Sequence, residues 1–114
     1  MTGTAKQVAW AEDIKAAALR NVQDNLNSGI EMFREFNHPT YAAKANAYGV
    51  MQAVLTMILS SHDDAEYIIR HRHMLALDTI RMTVSRWTEL IESGRKTPAQ
   101  IAKENGVADY QEVL

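Results

Sequence analysis

Apolar residues recur along the chain at helical spacing. At about 100° per residue, Val8, Ala11, Ile14, Ala18, Val22, Leu26, Ile30 and Phe33 fall on one stripe. Glu12, Asp13, Arg20, Gln23, Asn27 and Arg34 lie mainly outside it. Thr4 and Gln7 precede the run as a capping box, whose side chains satisfy two free amides of a first turn. The stripe keeps its phase through Ser28-Gly29, and Asn37-His38-Pro39 ends it, because the residue before a proline is pushed out of helical geometry. The pattern predicts a first helix over residues 5–36, with Gly29 as the place for a kink.

The second predicted helix covers residues 40–61. No Lys, Arg, Asp or Glu occurs between Ala45 and His62, and Tyr41, Tyr48, Met51, Val54, Leu55, Ile58 and Leu59 occupy most of its circumference. Asn46, Gln52, Thr56 and Ser60, around Gly49, leave a thin polar edge. Such a helix needs cover on nearly every side. The polar residues interrupt it before the roughly 20 apolar residues a bilayer requires, so a buried central helix is expected and no membrane span.

A third helix is predicted over residues 63–93, opening on Asp63, Asp64 and Glu66, whose carboxylates oppose the helix dipole. Ala65, Ile69, Ala76, Ile80, Val84, Trp87 and Ile91 form its apolar face, and Ile68, Leu75 and Met82 form a narrower stripe at seven-residue spacing. Gly94 suits the left-handed position that ends a helix. Thr97-Pro98-Ala99-Gln100 repeats the capping box and predicts a short helix over 98–105, beyond which residues 107–114 form one more turn or fray. The expected fold is all-α and a single domain over residues 1–114: an up-down-up bundle of three long helices with a short C-terminal helix across one end. The apolar second helix and the Ile68, Leu75, Met82 stripe offer more surface than three helices cover. A protein partner or a homo-oligomer is the expected remedy.

Composition narrows the class. The 114 residues carry 12 basic and 14 acidic side chains, a formal net charge of −2, which argues against a basic nucleic-acid coat and an acidic DNA mimic alike. Cysteine is absent, which removes disulfides and thiolate chemistry and fits a reducing cytoplasm. Met1 to Trp10 contains no apolar signal core.

Gly3-Thr4-Ala5-Lys6-Gln7-Val8-Ala9-Trp10-Ala11-Glu12-Asp13-Ile14 resembles a G-[ST]-x-K-Q-[IV]-x-W-A-E-x-I opening. That opening occurs in small, mostly uncharacterised proteins of phages, plasmids and other bacterial mobile elements. Asp64-Ala65-Glu66-Tyr67-Ile68-Ile69-Arg70-His71-Arg72 is similar to their D-A-x-[FY]-W-I-x-x-R segment, with Ile68 in place of tryptophan and Arg70 in place of an acidic residue. The resemblance implies a mobile-element origin and no particular activity. In an up-down-up bundle the two segments meet at one end, where Trp10 and Glu12 can stack on and pair with Arg72 as a structural end-clamp rather than a ligand site.

Catalytic and metal chemistry find little support. His71 and His73 point about 200° apart on a helix, and no carboxylate completes a ligand set at helical spacing. No glycine-rich phosphate loop and no set of nucleophile, base and orienting group occurs, so neither enzyme activity nor a cofactor is expected. The segment 97–107 resembles the first helix of a helix-turn-helix, but too little chain follows and it is acidic. Between Arg70 and Arg86 four arginines face one aspartate, and Tyr67, Arg70 and Arg81 are candidates for holding an anion. Three functional expectations remain open. The first is a non-catalytic helical binding protein, such as a counter-defence inhibitor of the anti-CRISPR kind, using Ile68, Leu75, Met82 and Arg86. The second is a nucleic-acid accessory protein using Arg70, Arg81, Arg86, Arg95 and Lys96. The third is an oligomeric nucleotide-sequestering protein with Tyr67 and Arg70 near a subunit junction.

Overall fold

Thr4 and Gln7 form the capping box their spacing predicts: Thr4 Oγ1 accepts from the Gln7 amide (3.2 Å) and Gln7 Oε1 from the Thr4 amide (3.0 Å). In the computed structural model, which describes residues 1–114, this box starts helix α1, Ala5–Phe36. The helix runs unbroken through Gly29 and ends on Asn37, whose left-handed φ of 50° lets its amide donate to the Phe33 carbonyl at 2.7 Å. His38 Nδ1 then accepts from the Thr40 amide (3.2 Å) and caps α2, Pro39–Ser61.

The chain between Asp63 and Glu92 departs from the expected single helix over 63–93. It forms α3, Ala65–Arg70, a 3-10 turn over Arg72–Leu75, and α4, Leu77–Glu92. In one straight helix Ile68 and Ile80, twelve residues apart, would point about 120° from each other. With the break, both are fully buried. Side chains replace the lost backbone bonds: Arg72 Nη1 donates to the Ile69 carbonyl (2.6 Å) and Thr79 Oγ1 to the His73 carbonyl (2.8 Å). A second capping box, Thr97 with Gln100, opens α5, Pro98–Glu104.

The architecture is all-helical, with α2 at its centre. Contacts between α1 and α2 follow antiparallel order, with Gly29 against Ala45, Gln52 donating to Gln23, and Ala11 in one cluster with Leu59. Thr40 Oγ1 at the start of α2 donates to Glu92 Oε1 at the end of α4 (2.7 Å), so this pair is antiparallel as well. The main core joins Val22 and Leu26 of α1, Val50, Val54 and Leu55 of α2, Ile80, Val84 and Trp87 of α4, and Ile101 of α5. A smaller cluster, Ala11, Leu59, Ala65 and Ile68, sits where α3 crosses α1. Each large aliphatic side chain buried this way is worth about 1.5–3 kcal/mol against exposure. No helix is long and apolar enough to cross a membrane.

The final residues lie along α2. Asn46, the one buried polar residue, accepts at Oδ1 from the amides of Val113 (3.1 Å) and Leu114 (3.3 Å), and Tyr110 donates its hydroxyl to the Asn46 carbonyl (3.3 Å). The tail thus covers the Asn46 end of the polar edge of α2, while Thr56 and Ser60 stay exposed, and with α5 it covers part of the surface expected to call for a partner.

Candidate functional site

The break between α3 and α4 opens a cavity of about 190 Å³ against α2. Met51, Val54, Leu55, Ile58 and Leu59 supply its α2 wall. Tyr67, Ile68, His71, Met74 and Leu75 come from α3 and the turn, and Thr79, Thr83 and Trp87 from one face of α4. Those three are spaced by four residues, which keeps them within about 80° of one another on the helix.

Aromatic stacking organises its edge. The Tyr67 ring lies between two imidazoles, with centroids 4.0 Å from His62 at an interplanar angle of 7° and 4.1 Å from His71 at 28°. His71 Nδ1 lies 2.8 Å from the Tyr67 carbonyl. A carbonyl only accepts, so this contact places a proton on Nδ1 and leaves Nε2 of the neutral ring as an acceptor. Met74 on the cavity wall is 50% exposed, and Leu77 and Met82, outside it, are exposed by 38% and 66%.

The sequence candidates are distributed unevenly over this geometry. Ile68 is fully buried beside Ala11, Leu59 and Ala65, so it does not belong to a surface stripe. Leu75 is half-buried and packs against both core clusters, whereas Met82 and Arg86 are exposed on the outer face of α4. The seven-residue spacing of Ile68, Leu75 and Met82 marks one face only if the helix is continuous, and it breaks between the first and the last.

The anion candidates do not converge. Tyr67 is held in the imidazole stack, and Arg70 pairs with Glu66 one turn earlier on α3. Arg81 lies on the opposite face of α4 from Thr79 and Thr83, in a polar groove with Lys44, Tyr48, Ser85, Glu89 and Glu92. Burial pushes the Tyr48 hydroxyl up, and the Arg81 charge opposes that shift. At the other end of the chain, Lys96 is engaged by Glu104 at 2.7 Å.

The end-clamp is half realised. The Arg72 guanidinium lies 5.3 Å from the centre of the Trp10 ring, within cation–π range. Glu12 is exposed and makes no ion pair with it. The histidines are separated, His38 capping α2 and His62 and His71 flanking Tyr67, and no group of three or more His, Asp or Glu is placed to hold a metal ion.

Sequence reasoning missed the cavity, the imidazole stack and the role of Asn46. A lone amide inside an apolar helix was a usable signal, because a buried amide demands hydrogen-bond partners. The other two arise only once the third helix breaks. Comparison of the chain with protein-family models, curated proteins and solved structures finds no significant match.

Proposed function

We propose that this chain is a non-catalytic binding protein that acts through a protein partner, docking at the 3-10 turn and the outer face of α4. The observation that carries the reading is the exposure of Met74, Leu77 and Met82 around one break in the chain, with Arg86 one turn beyond Met82. Apolar side chains cost free energy in water, and large ones left uncovered near one chain break favour contact with a partner. Methionine suits such a surface because its flexible thioether adapts to a partner's contour. The resemblance of the two sequence segments to mobile-element proteins adds an origin in a phage or plasmid and action in the bacterial cytoplasm; a counter-defence role of the anti-CRISPR kind is an analogy with its small size, helicity and exposed apolar surface.

The test is capture of partners from a bacterial lysate on tagged protein, treated with nuclease and washed at high salt. A stoichiometric protein retained by the unmodified chain and lost with Met74→Glu or Met82→Glu supports the reading. Recovery of the chain alone, or of a partner that nuclease or salt removes, overturns it. Sizing of the purified protein distinguishes a second copy of the chain from a foreign partner. The nucleic-acid reading would need Arg70, Arg81, Arg86, Arg95 and Lys96 on one face, and the carboxylates beside Arg70 and Lys96 weigh against it.

A further inference from the structure

The polar groove between α2 and α4 has a volume of about 530 Å³, and Tyr48, only 3% exposed, lines it. No fully buried side-chain oxygen lacks a hydrogen-bond partner, so the unpaired Tyr48 hydroxyl reaches the surface, at this groove. The Arg81 charge acts on it there. Lys44, Arg81, Glu89 and Glu92 are all exposed along the groove, and none of them is in an ion pair. Of the neutral groups, Asn25 donates its amide to Asn21 (2.9 and 3.1 Å) and Thr88 its hydroxyl to the Val84 carbonyl (2.7 Å). They keep uncharged lone pairs, which do not set the sign of the ligand.

The bond from Thr40 to Glu92 (2.7 Å) fixes how the two antiparallel helices face each other. Counted from it at 1.5 Å per residue, Glu89 and Lys44 lie about 4.5 and 6 Å along the groove. Ser85 and Tyr48 follow at about 10.5 and 12 Å, and Arg81 at about 16.5 Å. Lys44 therefore offsets one of the two carboxylates, which leaves one net negative charge at that end. Arg81, with the Tyr48 and Ser85 hydroxyls, leaves one positive charge at the other. A simple anion would meet the glutamates and a simple cation would meet Arg81, and like charges side by side disfavour binding. A molecule carrying both charges, about 6–12 Å apart, meets an opposite charge at each end.

We propose that this groove binds a small linear zwitterion, such as a peptide of about three residues, with its carboxylate on Arg81, Tyr48 and Ser85 and its ammonium on Glu89 and Glu92. The site stands independently of the protein-partner reading.

Triglycine is the probe, titrated into the full chain at neutral pH and low ionic strength while the amide signals of Tyr48, Ser85 and Thr88 are followed by NMR. It is expected to bind at least about tenfold more tightly than acetyl-triglycine, which keeps only the negative charge, and than triglycine amide, which keeps only the positive one. Glycine, whose charges are adjacent and cannot span the groove, should bind as weakly as these. The ω-aminooctanoate ion has the same backbone length without the amides. Equal binding of it supports recognition of the charge pair alone, and weaker binding supports a peptide ligand. Arg81→Gln, at an exposed position, should weaken triglycine about tenfold and leave triglycine amide unchanged or tighter; Glu89→Gln should weaken triglycine and leave acetyl-triglycine unchanged or tighter. Triglycine binding no better than its one-charge forms, no saturable shift up to on the order of 10 mM, or indifference to Arg81→Gln overturns the proposal.

Discussion

Gly29 of α1 packs so closely on Ala45 of α2 that a Cβ at Gly29 would lie 3.2 Å from both the Cα and the Cβ of Ala45. The glycine is therefore a point of close helix approach in a helix that stays continuous, not a kink. Two effects compete in Gly29→Ala. Helix propensity favours alanine by about 1 kcal/mol, while overpacking against a fixed backbone costs about 1–3 kcal/mol. Ala45 is held by its buried neighbours Asn46 and Ala47, so it has little room to yield. Gly29→Ala is expected to lower stability by about 1 kcal/mol in urea unfolding, and Ser28→Ala on the exposed side to leave it unchanged or slightly higher. A stabilised Gly29→Ala protein would mean that the helices can separate there at no cost.

Asn46 holds the C-terminal tail through its side-chain oxygen, which accepts two backbone amides. Asn46→Ala removes those bonds and leaves a small space beneath the tail. The expected cost is about 1–2 kcal/mol, because the freed amides can turn to water. The sharper readout is local. Amide exchange at Val113 and Leu114 should rise while Ile80 and Ile101 stay protected. Unchanged exchange at the tail would show that Tyr110 and Val113 hold it without the amide.

How much of this was legible depends on the length scale of each signal. Capping boxes are local, so Thr4 with Gln7 and Thr97 with Gln100 mark their helices correctly. The central helix is legible because Ala45 to Ser61 carries no charge, whatever covers it. The break between α3 and α4 is not, since residues 70–76 contain neither proline nor glycine. It follows from a tertiary demand, the burial of both Ile68 and Ile80, and from side chains that satisfy carbonyls a continuous helix would have used. The candidate cavity inherits that illegibility. Ile68 illustrates the cost of missing it, because one straight helix would place it on a surface stripe.

Trp10 and Arg72 meet at 5.3 Å although the ring is 49% exposed, which sets the scale of their contact. Exposed cation–π pairs contribute about 0.5–1 kcal/mol, so Trp10→Ala should lower stability by about that much and leave the chain folded. Glu12, which has no such partner, predicts a contrast: Glu12→Gln should change stability by less than about 0.5 kcal/mol. A double-mutant cycle on Trp10 and Arg72 checks the pair directly. A coupling energy indistinguishable from zero would reduce the clamp to coincidence of position.

Tyr110 links the tail to pH. Burial pushes its hydroxyl up to about 12, Glu112 adds to the rise, and the backbone hydrogen bond with Val113 opposes it. In the unfolded chain the same group titrates near its ordinary value of about 10. Below that value the proton is bound in both states and stability does not depend on it. Between about 10 and about 12 the unfolded chain releases the proton while the folded chain keeps it, so unfolding is favoured progressively as pH rises. Tyr48, also raised by burial, contributes a slope of the same sign. Tyr110→Phe should therefore flatten part of the alkaline loss of stability, and Tyr48→Phe another part. Urea midpoints measured from about pH 9 to about pH 11.5 on the unmodified chain and each variant separate the two. If Tyr110→Phe leaves the alkaline slope unchanged, the hydroxyl is not shielded by the tail and the packing of Tyr110 on α2 is looser than the Asn46 contact implies.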